Sequence, residues 1–283
     1  MPSTPDRPTV VPMPSRTRRP RAVPMDLRLP GLTVVLPCFD EEPNVAQAVR
    51  EATSAACRCA SAVEIVVVDD GSRDATGEIA RELAEADPRV RVVAHDVNRG
   101  YGAAVRSGIT ASRMPWVLLT DADLQFDLQQ LDRLLPLAPD HDLVAGYRIS
   151  RCDPLHRRAA AAAWNWLMRR TFGVPVRDVD CAFKLARGPM LRALDLTSEG
   201  AMVSMELYAR ATRDDWRIAE VGVHHRARLA GEASGGDPGV ILRALRERRR
   251  LARELAGVPP GAGSPTGAGA GAPAAASGRS AAL

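Results

Sequence analysis

The sequence predicts an α/β protein built on a mainly parallel sheet with helices covering both faces. Two observations predict it. Apolar, β-branched runs alternate with segments of helical period, and the runs are near-continuously apolar instead of alternating, as strands buried on both faces must be. The polar clusters also gather where these runs end. In an open parallel sheet that is where ligands bind, beyond the carboxyl ends of the strands.

The elements follow in order. "LTVVLPCF" (32–39) reads as a buried strand stopped by Pro37, and a helix over 43–56 follows, with Pro43 suited to its first turn. "EIVVVDD" (64–70) is a second strand that runs into acid, and "GSRD" is a turn. A helix over 75–86 carries Ile79 and Leu83 on one face, with Asp74 placed to cap it. "RVRVVAH" is a third strand, "NRGYGAAVRSGITAS" a glycine-rich turn feeding a helix, and "WVLLTDAD" a fourth strand. A helix over 127–135 leads to a fifth strand, "DLVAGY". The folded part spans 30–256, with a nucleotide half over 30–126 and an acceptor half over 127–256. The Pro/Arg-rich stretch 1–28 and the Gly/Pro/Ala-rich stretch 257–283 lack the apolar content of a core and are predicted to be disordered tails.

Composition excludes several classes. The chain has 283 residues, 46% hydrophobic, with 38 basic and 34 acidic residues and a net charge of +4. That balance is too mild for nucleic-acid binding by bulk charge. Lys184 is the only lysine, a bias attributed to genome composition, so single arginines are not read as phosphate ligands. Five cysteines without a paired CxxC argue against a zinc site and for a reduced, cytoplasmic setting. No apolar run reaches the ~18 residues of a transmembrane helix, and the N-terminus lacks the apolar core of a signal peptide.

Three acidic clusters end three strands: Asp40-Glu41, Asp69-Asp70, and Asp121 with Asp123. Carboxylates gathered at one sheet edge repel each other unless a cation lies between them. Asp121 and Asp123 are two apart after a strand, so both can face one ion, and Gln125 offers a neutral oxygen nearby. Oxygen ligands of this kind suit Mg²⁺ or Mn²⁺, which take one or two carboxylates plus the phosphates of a substrate. Turn chemistry is the plainer reading of a single DxD, because Asp favours strand ends. In "NRGYGAA" the glycines permit close backbone approach, but no GxGxxG or Walker A pattern is present.

The ordered set "VVLPCFDEEPN", "EIVVVDDGSRDAT", "NRGYGAAVRSG", "LLTDADLQFD" resembles family 2 glycosyltransferases of the GT-A fold, a Rossmann-like nucleotide-diphospho-sugar transferase fold. Beyond it, Gly-x-Arg at 146–148, a basic helix with Asn165, "DVDCAFKL" and "RLAGEAS" resemble the polyprenyl-phosphate sugar transferase branch, typified by dolichyl-phosphate mannose synthase. The resemblance covers about 30–250, with one extra residue before Ser234, and Asp40 stands where the family usually has Asn.

The resemblance implies an inverting transferase that moves a hexose, mannose or glucose, from GDP-mannose or UDP-glucose to a polyprenyl phosphate. It places the nucleotide sugar at Pro37, Phe39, Glu41, Asp69, Asp70, Gly100, Asp121 and Ala122. The metal falls to Asp121, Asp123 and Gln125. The acceptor phosphate falls to Arg148, Arg157, Arg158 and Arg228. Asp123, Arg148 and Arg228 are the catalytic set. A phosphate monoester is already ionised near neutral pH, with a second pKa of about 6, so it needs no general base. Relatives with hydroxyl acceptors carry an Asp base in an "ED" element. The comparable stretch here has Glu206 in a helical pattern, without that pair, and Glu206 is read as structural. Two other readings stay open: a sugar or small-molecule hydroxyl acceptor, and a nucleotide-sugar-binding module without turnover. "RRAAAAAWNWLMRRTFG" and the basic helix "GVILRALRERRRLARELAG" each fit either a membrane surface or core packing, so peripheral attachment to the inner face of the membrane is expected as one of two outcomes. His224-His225 at a strand end has two readings, a contact to phosphate and a satisfied histidine at the sheet margin, and the second is preferred.

Overall fold

The structure, a computed structural model, describes residues 23–150, 155–226 and 238–257. The expected tails lie largely outside these residues. Where the first is described, Met25–Leu27 forms a 3₁₀ turn and the Arg28 guanidinium donates to the carbonyls of Cys57 and Ala60.

Seven strands form one sheet: β1 (Leu29–Cys38), β2 (Ala60–Asp69), β3 (Val90–Ala94), β4 (Trp116–Leu119), β5 (Leu143–Ser150), β6 (Lys184–Arg187) and β7 (Ile218–His224). Their order is β3-β2-β1-β4-β6-β5-β7. All run parallel except β6, which is antiparallel to both β4 and β5. The carboxyl ends of β1, β2, β4 and β5 therefore share one edge with the first residue of β6.

The run Ile65-Val66-Val67-Val68 shows why these strands read as apolar throughout. Ile65 and Val67 join the core on one face, Val66 and Val68 the core on the other, and all four are fully buried. The first face is covered by α1 (Glu42–Cys59), with Ile79 and Leu83 of α2 (Thr76–Ala86) packed against it. The second is covered by α3 (Tyr101–Ala111), α4 (Leu155–Phe172), α5 (Gly188–Ala193), α6 (Met202–Arg213) and α7 (Pro238–Ala256). Gly108 lets α3 sit on β1, since a Cβ there would lie 2.2 Å from Val35 Cγ1.

Three local readings are corrected. β1 is not stopped by Pro37 but runs through it to Cys38. Val35 accepts from Thr120 N–H, so Pro37, two residues on, also faces the β4 side, past the last β1–β4 pair, where no ladder bond is lost. The helix expected over 127–135 is two 3₁₀ turns, Leu128–Arg133 and Leu135–Asp140, because Pro136 and Pro139 each remove a backbone donor. Asp74 accepts from Thr76 N–H but also from Glu42 N–H, while Glu42 accepts from Ala75 N–H, so the first turns of α1 and α2 cap each other.

Candidate active site

The end of β1 is shaped by Asp40, whose φ of 52° is left-handed. Asp and Asn tolerate that region better than most residues. Its carboxylate accepts from Arg73 N–H and pairs with the Arg73 guanidinium at 2.6 Å, and these bonds hold its pKa low. The same guanidinium lies 5.3 Å from the centroid of the exposed Phe39 ring. Glu41 is buried, accepts from Asn44 Nδ2 at 2.6 Å, and donates its N–H to Thr76. Pro37, Phe39 and Glu41 thus stand together at the carboxyl end of β1.

Asp69 and Asp70 end β2. Asp69 Oδ1 accepts from Ser72 N–H at 3.0 Å, and Gly77 leaves room for Oδ2, where a Cβ would lie only 2.3 Å away. Asp70 is buried. Its oxygens accept from the N–H groups of Arg99 (3.0 Å) and Gly100 (2.8 Å), and Oδ1 lies 2.6 Å from His95 Nδ1. His95 Nε2 reaches Ser107 at 2.9 Å, so this histidine is satisfied. The glycines of "NRGYGAA" serve a neighbouring chain segment. Gly102 N–H donates to Glu199 O at 2.7 Å, and a Cβ on Gly100 would lie 2.6 Å from that same oxygen. Asp70 therefore fixes the backbone at Arg99 and Gly100.

Asp121 and Asp123 follow β4, with Ala122 buried between them. Tyr101 O–H donates to Asp121 Oδ1 at 2.9 Å. Burial first, and the charge on Asp123 second, push the Asp121 pKa up to about 6. Asp123 Oδ1 accepts from Gln125 N–H at 3.0 Å, and Leu124 is left-handed at φ 60°, so turn chemistry and paired carboxylates coexist. Gln125 donates its side-chain amide to Arg226 O at 3.3 Å, and Phe126 stacks on Phe183 with centroids 5.7 Å apart.

The residues expected at the acceptor phosphate begin at the end of β5. Arg148 grips Asp178 with two bonds of 2.7 Å, which keep it charged despite burial. Asn165 of α4 accepts from Val179 N–H at 2.8 Å and fixes this turn. Asp180, near Trp164 Nε1 at 3.4 Å, has a pKa raised by burial and then by Asp178. Lys184 is buried at the start of β6. A cavity of about 290 Å³ opens here, lined by Tyr147, Arg148, Ala162, Asn165, Arg169, Arg177 and Asp178. Arg157 and Arg158 fall in the first half of α4; Arg228 lies outside the described residues.

Tyr101 and Asp178 contact the expected residues Asp121 and Arg148, and Asp180 and Lys184 stand on the segment beside them, but none of the four was expected from sequence as a site residue. "DVDCAFKL" carried the signal for Asp178, Asp180 and Lys184, and "NRGYGAA" that for Tyr101. Glu206 is fully buried. It accepts from Thr197 N–H (2.9 Å), Ser198 N–H (2.7 Å) and Arg210 (2.7 Å). Burial raises its pKa, but these donors outweigh burial and hold it low. It fastens the 197–199 segment that packs on Gly100.

Among the described residues, no cluster of three or more His, Cys, Asp or Glu is arranged as a metal cage. The Asp121–Asp123 pair still fits a divalent cation. Two carboxylates are forced together under partial burial, and a cation between them would relieve both the repulsion and the raised pKa. Mg²⁺ and Mn²⁺ are commonly held by one or two carboxylates with substrate phosphates completing the shell.

A mainly parallel sheet covered on both faces in this strand order is the architecture of GT-A glycosyltransferases. Glucosyl-3-phosphoglycerate synthase from Mycobacterium tuberculosis shares it, in a structure with UDP, at a TM-score of 0.61 and 20% identity over 81% of each chain. The same enzyme with Mn²⁺, UDP-glucose and phosphoglyceric acid matches at 0.60 and 20% identity, over 81% of this chain and 80% of that one. The family model for Glycosyl transferase family 2 matches residues 33–193, and the chain belongs to that family.

Among curated relatives, an undecaprenyl-phosphate 4-deoxy-4-formamido-L-arabinose transferase from Edwardsiella ictaluri is 32% identical over 208 residues, covering 72% of this chain and 63% of the relative. Its counterpart from Pseudomonas paraeruginosa is 35% identical over 209 residues, covering 71% and 59%. The chain thus spans about three fifths of the length of these relatives. No helix among the described residues is long and apolar enough to cross a membrane.

Proposed function

We propose that this glycosyltransferase is inverting and metal-dependent, and that it moves one hexose from a nucleotide-diphosphate sugar to a polyprenyl phosphate. The observation that carries the reading is the arginine-lined cavity at Arg148, which shares a sheet edge with the Asp121–Asp123 pair. A phosphate acceptor and a diphosphate donor are thereby held side by side. The resemblance of the chain to undecaprenyl-phosphate sugar transferases supports the same acceptor class.

The base of the donor lies against Phe39 and Pro37, with Glu41 and Asp69 toward the ribose. Asp121 and Asp123, with Gln125 beside them, would hold Mg²⁺ or Mn²⁺, which offsets charge on the diphosphate as it leaves. Arg148, with Arg157, Arg158 and Arg228, orients the acceptor phosphate through guanidinium–oxygen pairs. A phosphate oxygen attacks the anomeric carbon as the bond to the diphosphate oxygen breaks, inverting that carbon and releasing the nucleoside diphosphate. No proton has to be removed, so no base is needed. Glu206, already occupied by backbone and arginine donors, does not supply one, which weighs against the hydroxyl-acceptor reading. A binding module without turnover has no use for an arginine cavity beside the donor site.

Contact with the lipid falls to α4, where Trp166 is 62% exposed and Arg169 and Arg170 are exposed beyond it. The apolar side of α7 is spent differently: Leu251 and Ala244 are buried in the core. The test is transfer of labelled sugar into an organic-extractable product with polyprenyl phosphate, against free polyprenol as control. GDP-mannose, UDP-glucose and a nucleotide-linked 4-deoxy-4-formamido-L-arabinose serve as donors. Product from the phosphate alone is the expected result. Product from polyprenol or a soluble sugar instead overturns the acceptor.

A further inference from the structure

A second cavity, of about 410 Å³, shares no lining residue with the one at Arg148. It is lined from α3 and from β3, the edge strand of the sheet. Ala103, Arg106, Ser107 and Thr110 recur at three- and four-residue spacing and so form one stripe of α3. Ala104, Val105 and Ile109 of the same helix are buried in the core. Val93 of β3 and Arg99, just before the helix, complete the wall.

The lining carries one sign of charge. It has two arginines, a serine and a threonine but no acid, whereas Asp178 lines the cavity at Arg148. Among the described residues neither Arg99 nor Arg106 forms an ion pair, while Arg91 is paired with Glu64 at 2.6 Å and Arg148 with Asp178 at 2.7 Å. Arg106 donates to the Leu196 carbonyl at 3.2 Å, which holds the guanidinium without neutralising it.

The wall is also fixed from behind. Ser107 Oγ lies 2.9 Å from His95 Nε2, and His95 Nδ1 lies 2.6 Å from Asp70 Oδ1. That same oxygen accepts from Arg99 N–H at 3.0 Å. Both ends of this chain of bonds are lining residues. Its middle is buried, with side-chain exposures of 5% for His95 and 3% for Asp70. A wall held in one geometry loses little freedom when a ligand arrives. The volume falls within the range of about 300–1,000 Å³ usual for small-molecule sites. Guanidinium and hydroxyl groups are donors suited to phosphate oxygens.

We propose that this cavity binds a small organic phosphate, at a site separate from the donor and acceptor ends. Arg99, Arg106 and Thr110 hold the phosphate, and the organic body rests on Val93 and Ala103. The site stands whether the sugar acceptor is a phosphate or a hydroxyl.

The test is titration of the ¹⁵N-labelled full chain with glycerol 3-phosphate, followed by amide chemical shifts. Inorganic phosphate and vesicles containing phosphatidic acid are the parallel probes. Glycerol 3-phosphate is expected to move the amides of Arg99, Ser107 and Thr110. Arg99→Ala and Thr110→Glu both change exposed side chains and leave the core in place. Each should weaken that response at least about tenfold, the first by removing a charged donor and the second by bringing a carboxylate into the cavity. No response at these residues from any probe, shifts confined to the surroundings of Asp121 and Arg148, or an unchanged response in both variants overturns the proposal. Equal affinity for inorganic phosphate overturns the organic body. A response to vesicles alone, lost in the same variants, upholds the site and makes its phosphate that of a lipid headgroup.

Discussion

Two pairs of aspartates end two strands of the same sheet and are used in opposite ways. Asp69 and Asp70, after β2, are surrounded by donors: Ser72, Arg99 and Gly100 N–H groups and the His95 ring. Asp121, after β4, accepts from Tyr101 O–H, and burial together with the charge on the neighbouring Asp123 drives its pKa up to about 6. A carboxylate surrounded by N–H groups holds backbone in place, whereas one raised by burial and a like charge gains from a cation. "DDGS" and "DAD" look alike as acidic strand ends; the partners assembled around them separate the two.

The largest expected effect is at the second pair. Asp123→Ala should lower sugar transfer by at least about 10³-fold while moving Tm little, because it removes charge from the leaving-group site and leaves the core intact. Retained transfer would erase the contrast between the pairs. Glu206→Ala should act in the reverse manner. It strands Arg210 and the Thr197 and Ser198 N–H groups, at a cost of about 3–5 kcal/mol by denaturant unfolding. Turnover per folded molecule should survive; a folded but inactive variant would restore Glu206 as a base and with it a hydroxyl acceptor. Asp70→Ala should cost about 3 kcal/mol by freeing the 95–100 loop, and should weaken donor binding only secondarily.

A smaller effect follows from pH. The folded-state pKa of Asp121 is raised, so the folded chain binds its proton more tightly than the unfolded chain does. Stability from this group is present at low pH and is lost as pH rises from about 4 through about 6. A cation reverses that loss by competing with the proton. The rise in Tm on adding Mn²⁺ should therefore grow between pH 5 and pH 7, and a pH-independent rise would place the ion elsewhere. The smallest expected change is Asp40→Asn. It keeps a residue suited to φ 52° and removes only an exposed pair with Arg73, so Tm should stay within about 2 °C.

Much of the first half of the fold was legible because its strands are continuous apolar runs and their acidic ends fall at one edge by parallel topology alone. The second half was harder to read. β6 is four residues long and reversed, and nothing local in "KLAR" says that it inserts between β4 and β5. The Arg148–Asp178 pair joins residues thirty apart, and Tyr101 meets Asp121 across twenty. Pro136 and Pro139 were in plain view as breakers of an α-helix. Lys184 was noticed as the single lysine but assigned to composition, since a sequence shows rarity without showing burial.

The measurement that tests the account most directly is calorimetric titration of UDP-glucose and GDP-mannose into the parent chain and into Asp123→Ala, each with and without Mn²⁺. The account predicts that Mn²⁺ strengthens binding of one donor to the parent chain by about tenfold or more and does nothing for Asp123→Ala. Equal binding with and without the ion, or the same gain in the variant, would contradict the claim that Asp121 and Asp123 are the pair built to receive a cation with its diphosphate.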